Sequence, residues 1–462
     1  MSLSQCQAWD DLGSNFFSLS NSLWALIPLE AWRRGLRVQL QPHARYSISD
    51  GRKTLHFRQT RLAGAEQDAI AKICDDKQAT KDLLVQSNVP TPRGRYFSPP
   101  FDRRVILEYA EEIGFPVCLK PNSWAKAKGV FPKVSDATTF QRLLDHLIDE
   151  LGCPELLVEE HIPGSNVRVF VAGDRVIAAS SMSPANVSGD GKSNIQELID
   201  NKNVARKVNP HLGGCKIVVD EEVHETLATL GLDLKSVVQA GETVFLRKSA
   251  NISKGGDSTD VTDELSPTIA KMAIDTIRGV QGLQHGGVDV LTLSPTDKSA
   301  VAMVNEINPS AGLGPHVYPG SGKSINVPVS IVDHYFPDSM PLENSSNWYF
   351  ALSHLLRLFT SETAINITVA PMPIIQNISW RTVRLMVGEK QQAEARRLLI
   401  SQIPKLGVHG HVTRYQKDHF DVCLAGTGKS VEEALEIVNR LGHRVKPVTK
   451  KAFRVSPGFR AL

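Results

Sequence analysis

The spacing of hydrophobic positions changes period repeatedly along this chain, and each change predicts an element. From Leu23 the run Leu-Trp-Ala-Leu-Ile-Pro-Leu-Glu-Ala-Trp reads as a helix, closed near Gly35 and leading into a short strand. This predicts a small α/β unit over residues 1–68. A second helical pattern starts near Gln67, passes through 77–84 and stops at Val89-Pro90-Thr91-Pro92, because proline disfavours helical backbone in the residue before it. Apolar runs then predict strands at 117–120, 129–133, 156–160 and 167–171, with 175–181 antiparallel to the last. Helices are predicted at 136–150 and from Ile195 onward, with a polar loop at 186–194 between the strands and the second helix. Strands at 243–247, 287–292 and 302–307 are expected to continue the sheet, with a helix at 266–283 between the first two.

After Asp333-His334-Tyr335-Phe336-Pro337 the character changes. A linker-like region, 339–380, carries one amphipathic helix at 348–359 and gives way near Arg381 to a compact unit. There the order is strand 382–387, helix 391–403, strand 408–415, strand 420–425, helix 431–440, strand 445–449. That βαββαβ order is the split-βαβ, ferredoxin-like arrangement. The expected organisation is 1–68, a central domain at 69–338, the linker, and a small C-terminal domain at 381–462.

Composition narrows the class without naming a chemistry. At 462 residues the chain is too long for one hydrophobic core. Hydrophobic content of 41% and charged content of 22% are those of an ordinary soluble globular protein. A net charge of +3 implies neither a nucleic-acid partner nor an anionic membrane. Six scattered cysteines without a Cys-x-x-Cys pair fit reduced thiols and a cytoplasmic location. No basic region leads into an apolar run at the N-terminus, and neither a signal peptide nor a membrane span is expected.

Candidate chemistry begins at Val304-Asn305-Glu306-Ile307-Asn308-Pro309, preceded by Gly286-Gly287-Val288-Asp289. Glu306 and Asn308 are one residue apart, so on a strand both face one way while Ile307 enters the core. With Asp289 they offer three oxygen donors, the type that hard cations such as Mg²⁺ take together with nucleotide phosphates. Alone, the triplet also fits a polar strand edge ending in a proline turn. Lys120, at the mouth of the strand Phe115-Pro116-Val117-Cys118-Leu119, can reach phosphate oxygens, or be a solvated strand-end lysine. Glu159-Glu160 closes the apolar strand Leu156-Leu157-Val158 and enters the constrained link His161-Ile162-Pro163-Gly164, a hinge able to offer a carboxylate to an exocyclic amine and backbone groups to a purine edge.

These segments, with Lys77 in Asp76-Lys77-Gln78-Ala79-Thr80-Lys81, occur in the order seen in ATP-grasp ligases, and the chain resembles that family from about residue 70 to 337. A narrower resemblance is to the ATP-grasp module of cyanophycin synthetases and of fused bifunctional glutathione-forming enzymes. Its carriers are Pro184-Ala185-Asn186-Val187-Ser188-Gly189-Asp190-Gly191-Lys192-Ser193 with 195–200, and Leu246-Arg247-Lys248-Ser249-Ala250-Asn251-Ile252-Ser253-Lys254-Gly255-Gly256-Asp257 with 260–263. The resemblance implies an α+β chain in which two α+β subdomains clamp ATP. It puts Lys77 and Lys120 on phosphates, Glu159 and Glu160 in the adenine hinge, the backbone near Ile162 on the ring and Asn166 near the ribose. Asp289, Glu306 and Asn308 would hold Mg²⁺, with Mn²⁺ as an alternative. Arg247 and the loop Asn251, Ser253, Gly255, Gly256 would surround the transferring phosphoryl group and the substrate carboxylate. The implied reaction is ADP-forming amide synthesis through an acyl phosphate, from small carboxylate and amine substrates such as amino acids or small peptides. A small-molecule kinase or an inactive nucleotide-sensing scaffold are the alternatives.

Several positions depart from the family pattern. Asn166 stands where a carboxylate often holds the ribose, Met182 where close relatives tend to carry arginine, and Lys254 where a hydroxyl is expected. The loop 123–129 has little glycine, and Lys126 and Lys128 compensate electrostatically or form a solvated basic loop. Neither the Mur-ligase-like module of cyanophycin synthetase nor a glutamate-cysteine ligase module is recognised within these 462 residues, which weakens both named substrates. His316 lines the acceptor site or caps its loop. Lys323 in Ser321-Gly322-Lys323-Ser324 lacks the glycine spacing of a phosphate-binding P-loop. The C-terminal unit resembles acylphosphatase in strand order and in Gly407-Val408-His409-Gly410-His411-Val412. Glu389 replaces the expected cradle arginine and Arg414 the expected asparagine, so a domain for dimerisation or ligand sensing is expected, and a β-edge there is compatible with a homodimer.

Overall fold

The computed structural model describes residues 20–461 apart from 125–127, 344, 346, 347, 349, 351, 414–417, 443, 449–454 and 456. Two compact units result: one contains His56–Tyr335, the other joins Ala25–Leu55 to Phe336–Leu462. No helix among the described residues is long and apolar enough to cross a membrane.

In the first unit the helix expected from residue 67 is two helices, Ala65–Asp75 and Lys77–Gln86. Asp76 breaks them apart: its backbone is extended, and its carboxylate caps the second helix by accepting from Ala79 N at 3.0 Å. A four-stranded antiparallel sheet follows, built from β1 (Gly94–Phe97), β2 (Val117–Pro121), β3 (Phe131–Val134) and β4 (Leu156–Glu160) in the order β1-β4-β2-β3. Helices Arg103–Ile113 and Ala137–Asp145 cover it through Ile106, Ala110, Phe140 and Leu144. Aspartates cap both helices, Asp102 and Asp136.

The second sheet comprises β5 (Ser165–Ala172), β6 (Arg175–Ser183), β7 (Asp257–Asp260), β8 (His285–Thr292) and β9 (Ala302–Asn308), all antiparallel, in the order β7-β6-β5-β8-β9. One face is apolar. Val167, Val169, Val171, Ala179, Val288, Val290, Val304 and Ile307 pack there against Ile269, Ala273 and Ile277 of helix Pro267–Gly279 and Ile70 and Cys74 of helix Ala65–Asp75. Strand period two then places Asn166, Arg168, Ser180, Met182 and Asp289 on the opposite face. In β9 the alternation breaks, because Val304 and Ile307 are three residues apart yet share the core. A bulge resolves this: Asp289 pairs with Glu306 and Val290 with Val304, leaving Asn305 as the extra residue.

Residues 243–247 do not continue the sheet. Thr243–Phe245 pairs with Asn186–Ser188, inside the expected polar loop, as a separate two-stranded ribbon. β1, β7 and helix Glu221–Thr229 were absent from the sequence reading. β7 reads Asp-Ser-Thr-Asp and lies at a sheet edge, so it carries no apolar alternation to betray it.

In the second unit β10 (Ile378–Met386), β11 (His409–Val412), β12 (His419–Thr427) and β13 (Arg444–Pro447) form a sheet of order β13-β10-β12-β11, the ferredoxin-like arrangement. β14 (Phe459–Ala461) adds parallel to β11. Helices Gln392–Gln402 and Gly428–Leu441 pack Leu399, Val431 and Val438 on Leu385, Phe420, Val422 and Leu424. Strand Arg37–Gln41 pairs with Arg45–Ser49 and, in the same unit, with Ile367–Thr368. The amphipathic helix expected from 348 is Leu352–Thr360, and Trp348 instead stacks edge-on with Trp380 and His409. Glu389 occupies a short turn after Gly388, while Arg414 lies outside the described residues.

Candidate active site

The polar face of the five-stranded sheet carries one rung of charge. Register sets Ser180 beside Arg168, Arg168 beside Asp289, and Asp289 beside Glu306. Arg168 clamps Asp289 through both ends of its fork, Nε to Oδ1 at 2.7 Å and Nη2 to Oδ2 at 2.8 Å, while Asn166 Nδ2 lies 3.4 Å from Oδ2. Burial works against the Arg168 charge, but Asp289 outweighs it and holds the guanidinium above its ordinary value. Burial first and the Asp289 charge second push the Glu306 carboxyl above the usual range, against the pull of Arg168, Lys77 and Lys120. Asn308 pairs with Gly287 two rungs along, on the same face as Glu306.

Lysines converge from the four-stranded sheet and the helix beside it. Lys77 and Lys81 are one turn apart on helix Lys77–Gln86 and so share a face. Lys77 Nζ donates to Asn122 O at 2.8 Å and Trp124 O at 3.0 Å, and burial, then the nearby Lys120 charge, lower its pKa. Lys120 and Lys81 meet the two oxygens of Glu159, Lys81 at 2.7 Å. Burial opposes both charges of the Lys120–Glu159 contact. The pair overcomes it, so Lys120 stays above its ordinary value and Glu159 below. Lys120 Nζ also reaches Asn305 Oδ1, the bulge residue of β9, at 3.3 Å. Glu160 is committed elsewhere and pairs with Arg93 Nε at 3.1 Å.

The hinge after β4 depends on Gly164, whose φ of +120 belongs to glycine. A Cβ there would come within 2.1 Å of Thr292 O on β8. Gly164→Ala is therefore expected to cost about 3 kcal/mol, from a strained dihedral plus the forced clash, and to displace Ile162 and Asn166 beside it. Chemical denaturation of the variant measures the loss.

Arg247 is buried and its contacts are structural. Nη1 meets Glu222 Oε2 at 2.5 Å, and Nη2 meets Asp220 Oδ2 at 2.8 Å and Val218 O at 3.0 Å. Asn251 caps the short turn Ile252–Lys254, accepting from Ser253 N at 3.0 Å and Ser253 Oγ at 2.7 Å. Gly255 and Gly256 allow close approach, since a Cβ would fall 2.8 Å from Ile217 Cα and 2.7 Å from Ser183 O respectively. Lys254 reaches Glu222 at 3.4 Å. Met182 packs with Leu212, Ile252, Cys215 and Ala250 in a small apolar cluster. His316 is buried with Nδ1 3.0 Å from Ser180 Oγ, and burial, then Arg168, depress its pKa to about 3.

The donor set tests the expected cation. Among the described residues no three His, Cys, Asp or Glu side chains cluster as a metal cage. Two carboxylates and an amide remain, a set that suits Mg²⁺ completed by phosphates and water. Asn308 Nδ2 is buried without a hydrogen-bond partner, as is Asn166 Oδ1. Rotating the Asn308 amide by half a turn puts its oxygen there instead, an acceptor for a cation. The residues therefore fit the ion that the sequence implies.

Of the expected site residues, the structure gathers Asn166, Asp289, Glu306 and Asn308 on one face and Lys77, Lys120 and Glu159 beside it, joined by the contact from Lys120 to Asn305. Arg247, Asn251, Ser253, Gly255 and Gly256 form a second group, in which Asp220 and Glu222 hold Arg247. The sequence reading missed Arg168 and Lys81. Both had a signal: Asn-Val-Arg-Val puts Arg168 on the face of Asn166, and Lys81 follows Lys77 by four residues.

Two α+β sheets, one presenting lysines and the other carboxylates, define the ATP-grasp class of fold. The proteins this chain is similar to are synthetases and biosynthetic enzymes by name. Over 285 residues, 59% of the chain, it is 30% identical to a cyanophycin synthetase from Crocosphaera subtropica, 31% of whose length is matched. Over 321 residues, 67% of the chain, it is 26% identical to the glutathione biosynthesis bifunctional protein GshAB of Clostridium perfringens, 40% of which is matched. A solved bifunctional glutathione synthetase from Pasteurella multocida aligns with a TM-score of 0.49 and 24% identity, over 64% of this chain and 41% of that one. The chain thus spans well under half the length of these relatives, and no family model matches it.

Proposed function

We propose that this protein is an ATP- and Mg²⁺-dependent carboxylate-amine ligase, joining amino acids or small peptides with release of ADP and phosphate. The observation that carries this reading is the 3.3 Å contact from Lys120 to Asn305, because it brings the lysine group to the residue next to Glu306. Phosphate oxygens placed there would meet Lys77 and Lys120, and their charge would offset the burial that depresses Lys77. Asp289, Glu306 and Asn308 are the residues that would hold the cation, which when bound neutralises charge on the transferring phosphoryl group. Arg168 fixes Asp289 in orientation by donating to both of its carboxylate oxygens. No side-chain nucleophile is needed, because positioning and charge neutralisation carry most of phosphoryl transfer. The substrate carboxylate would take the γ-phosphoryl group as an acyl phosphate, and the amine would then displace phosphate.

The test is ADP release by the purified protein with ATP and Mg²⁺ against pooled amino acids and dipeptides, followed by mass spectrometry of any active pool. A product equal in mass to two components less one water supports the ligase. A phosphorylated component without condensation replaces it with a kinase, and ATP binding without turnover in any pool replaces it with a nucleotide sensor.

A further inference from the structure

Glu159 is 4% exposed and its surroundings fix one orientation for it. It pairs in register with Cys118 on β2 and with Gly94 on β1. A Cβ on Gly94 would lie 2.5 Å from Glu159 Cγ, so the side chain rests directly on that glycine. Its Oε1 meets Lys81 Nζ at 2.7 Å, and its Oε2 is bonded to Lys120 Nζ. Lys81 is itself tied down, since Nζ also donates to Pro92 O in the Pro-Thr-Pro stretch. Both carboxylate oxygens therefore serve ammonium donors, which bind a carboxylate more strongly than a neutral amine would.

Lys120 has three N–H donors. Glu159 takes one and Asn305 Oδ1 another, which leaves one uncommitted among the described residues. Two fixed acceptors on opposite sheets aim that third donor, and aiming an ammonium is what phosphate binding requires of a flexible lysine.

We infer that Glu159 is a positioning residue for Lys120, anchored by Lys81, and acts through that lysine on the phosphates of the nucleotide. This rests on the nucleotide-binding reading above. It predicts a dependence on phosphate number that neither a base contact nor a loosened fold would produce.

The experiment is calorimetric binding of adenosine, ADP and ATP with Mg²⁺ to the full chain, as wild type, Glu159→Gln, Lys81→Met and Lys81→Arg. For Glu159→Gln the expected loss is about 10- to 100-fold for ATP, the value of one charge-assisted hydrogen bond, smaller for ADP and absent for adenosine. Lys81→Met should show the same ranking, and Lys81→Arg, which keeps the charge, should recover most of it. Equal losses for adenosine and ATP in both Glu159→Gln and Lys81→Met would overturn the inference. A wild type that binds none of the three overturns the nucleotide reading itself, an outcome distinct from wild-type binding with a flat ranking among the variants. If Glu159→Gln does not fold, Lys81→Met and its arginine counterpart decide alone.

Discussion

Glu306→Gln is expected to lower ADP release by about 10²- to 10³-fold, the usual consequence of removing one preorganised charged partner from a phosphoryl-transfer site. The same substitution should stabilise the protein in the absence of metal. Burial and Asp289 raise the folded-state pKa of Glu306 above its ordinary 4.5, so the folded protein holds a proton that the unfolded chain releases. Between 4.5 and that raised value the native state binds more protons, and stability therefore falls as pH rises through the window. Above it the wild type bears the full cost of an ionised buried carboxylate facing Asp289. Glutamine has no such cost. Thermal denaturation in EDTA should place the variant above the wild type at pH 7 to 8, with the difference shrinking toward zero as pH drops below 4.5. Excess Mg²⁺ should reverse the order, because only the wild type presents the second carboxylate. A variant less stable than wild type at pH 8 without metal would contradict this account of the rung.

Arg168→Met should be the most destabilising single change at the site. It leaves Asp289, 3% exposed, without its bidentate partner and opposite Glu306, and breaking a buried ion pair from one side costs roughly 3–5 kcal/mol. Asp289→Asn in the same chain should recover much of that loss, since the uncompensated charge is then gone. Chemical denaturation of the two single variants and the double variant measures the coupling directly. Additive losses would mean that Arg168 contributes through packing alone. Mg²⁺ should narrow the gap between Arg168→Met and wild type, because a cation can take the place of the guanidinium beside Asp289.

The fold class was legible where the chain alternates. Val167 to Val171, 287–292 and 302–307 announced strands, the C-terminal βαββαβ order pointed to the ferredoxin-like sheet, and Glu306 and Asn308 were legible as one face with Ile307 opposed. Legibility ended where local pattern carries no partner information. Nothing within Arg247 indicates that Asp220 and Glu222, from a distant helix start, occupy its guanidinium. The two carboxylate oxygens of Glu159 looked available because Lys81 and Lys120 reach them from a helix and another strand. β7 was invisible because an edge strand made of Asp, Ser and Thr is held by its backbone and not by apolar side chains. The break at Asp76 was hidden because capping acts against the helical run that surrounds it.

The extra residue in β9 makes that strand sensitive to its count in a way that depends on position. Upstream of Asn305 the residues that enter the core are even-numbered, Ala302 and Val304; downstream it is the odd-numbered Ile307. Removing Asn305 alone would therefore restore plain alternation, with Ala302, Val304 and Ile307 still in the core and Glu306 still opposite Asp289. The core has no use for this residue, and what its loss takes away is the acceptor for Lys120. Removing Met303 instead would swing Ala302 out of the core, because the bulge would remain and the parity before it would change. Losing one residue between Val304 and Ile307 is thus harmless to packing, and when that residue is Asn305 it severs a contact between the lysine sheet and the carboxylate sheet.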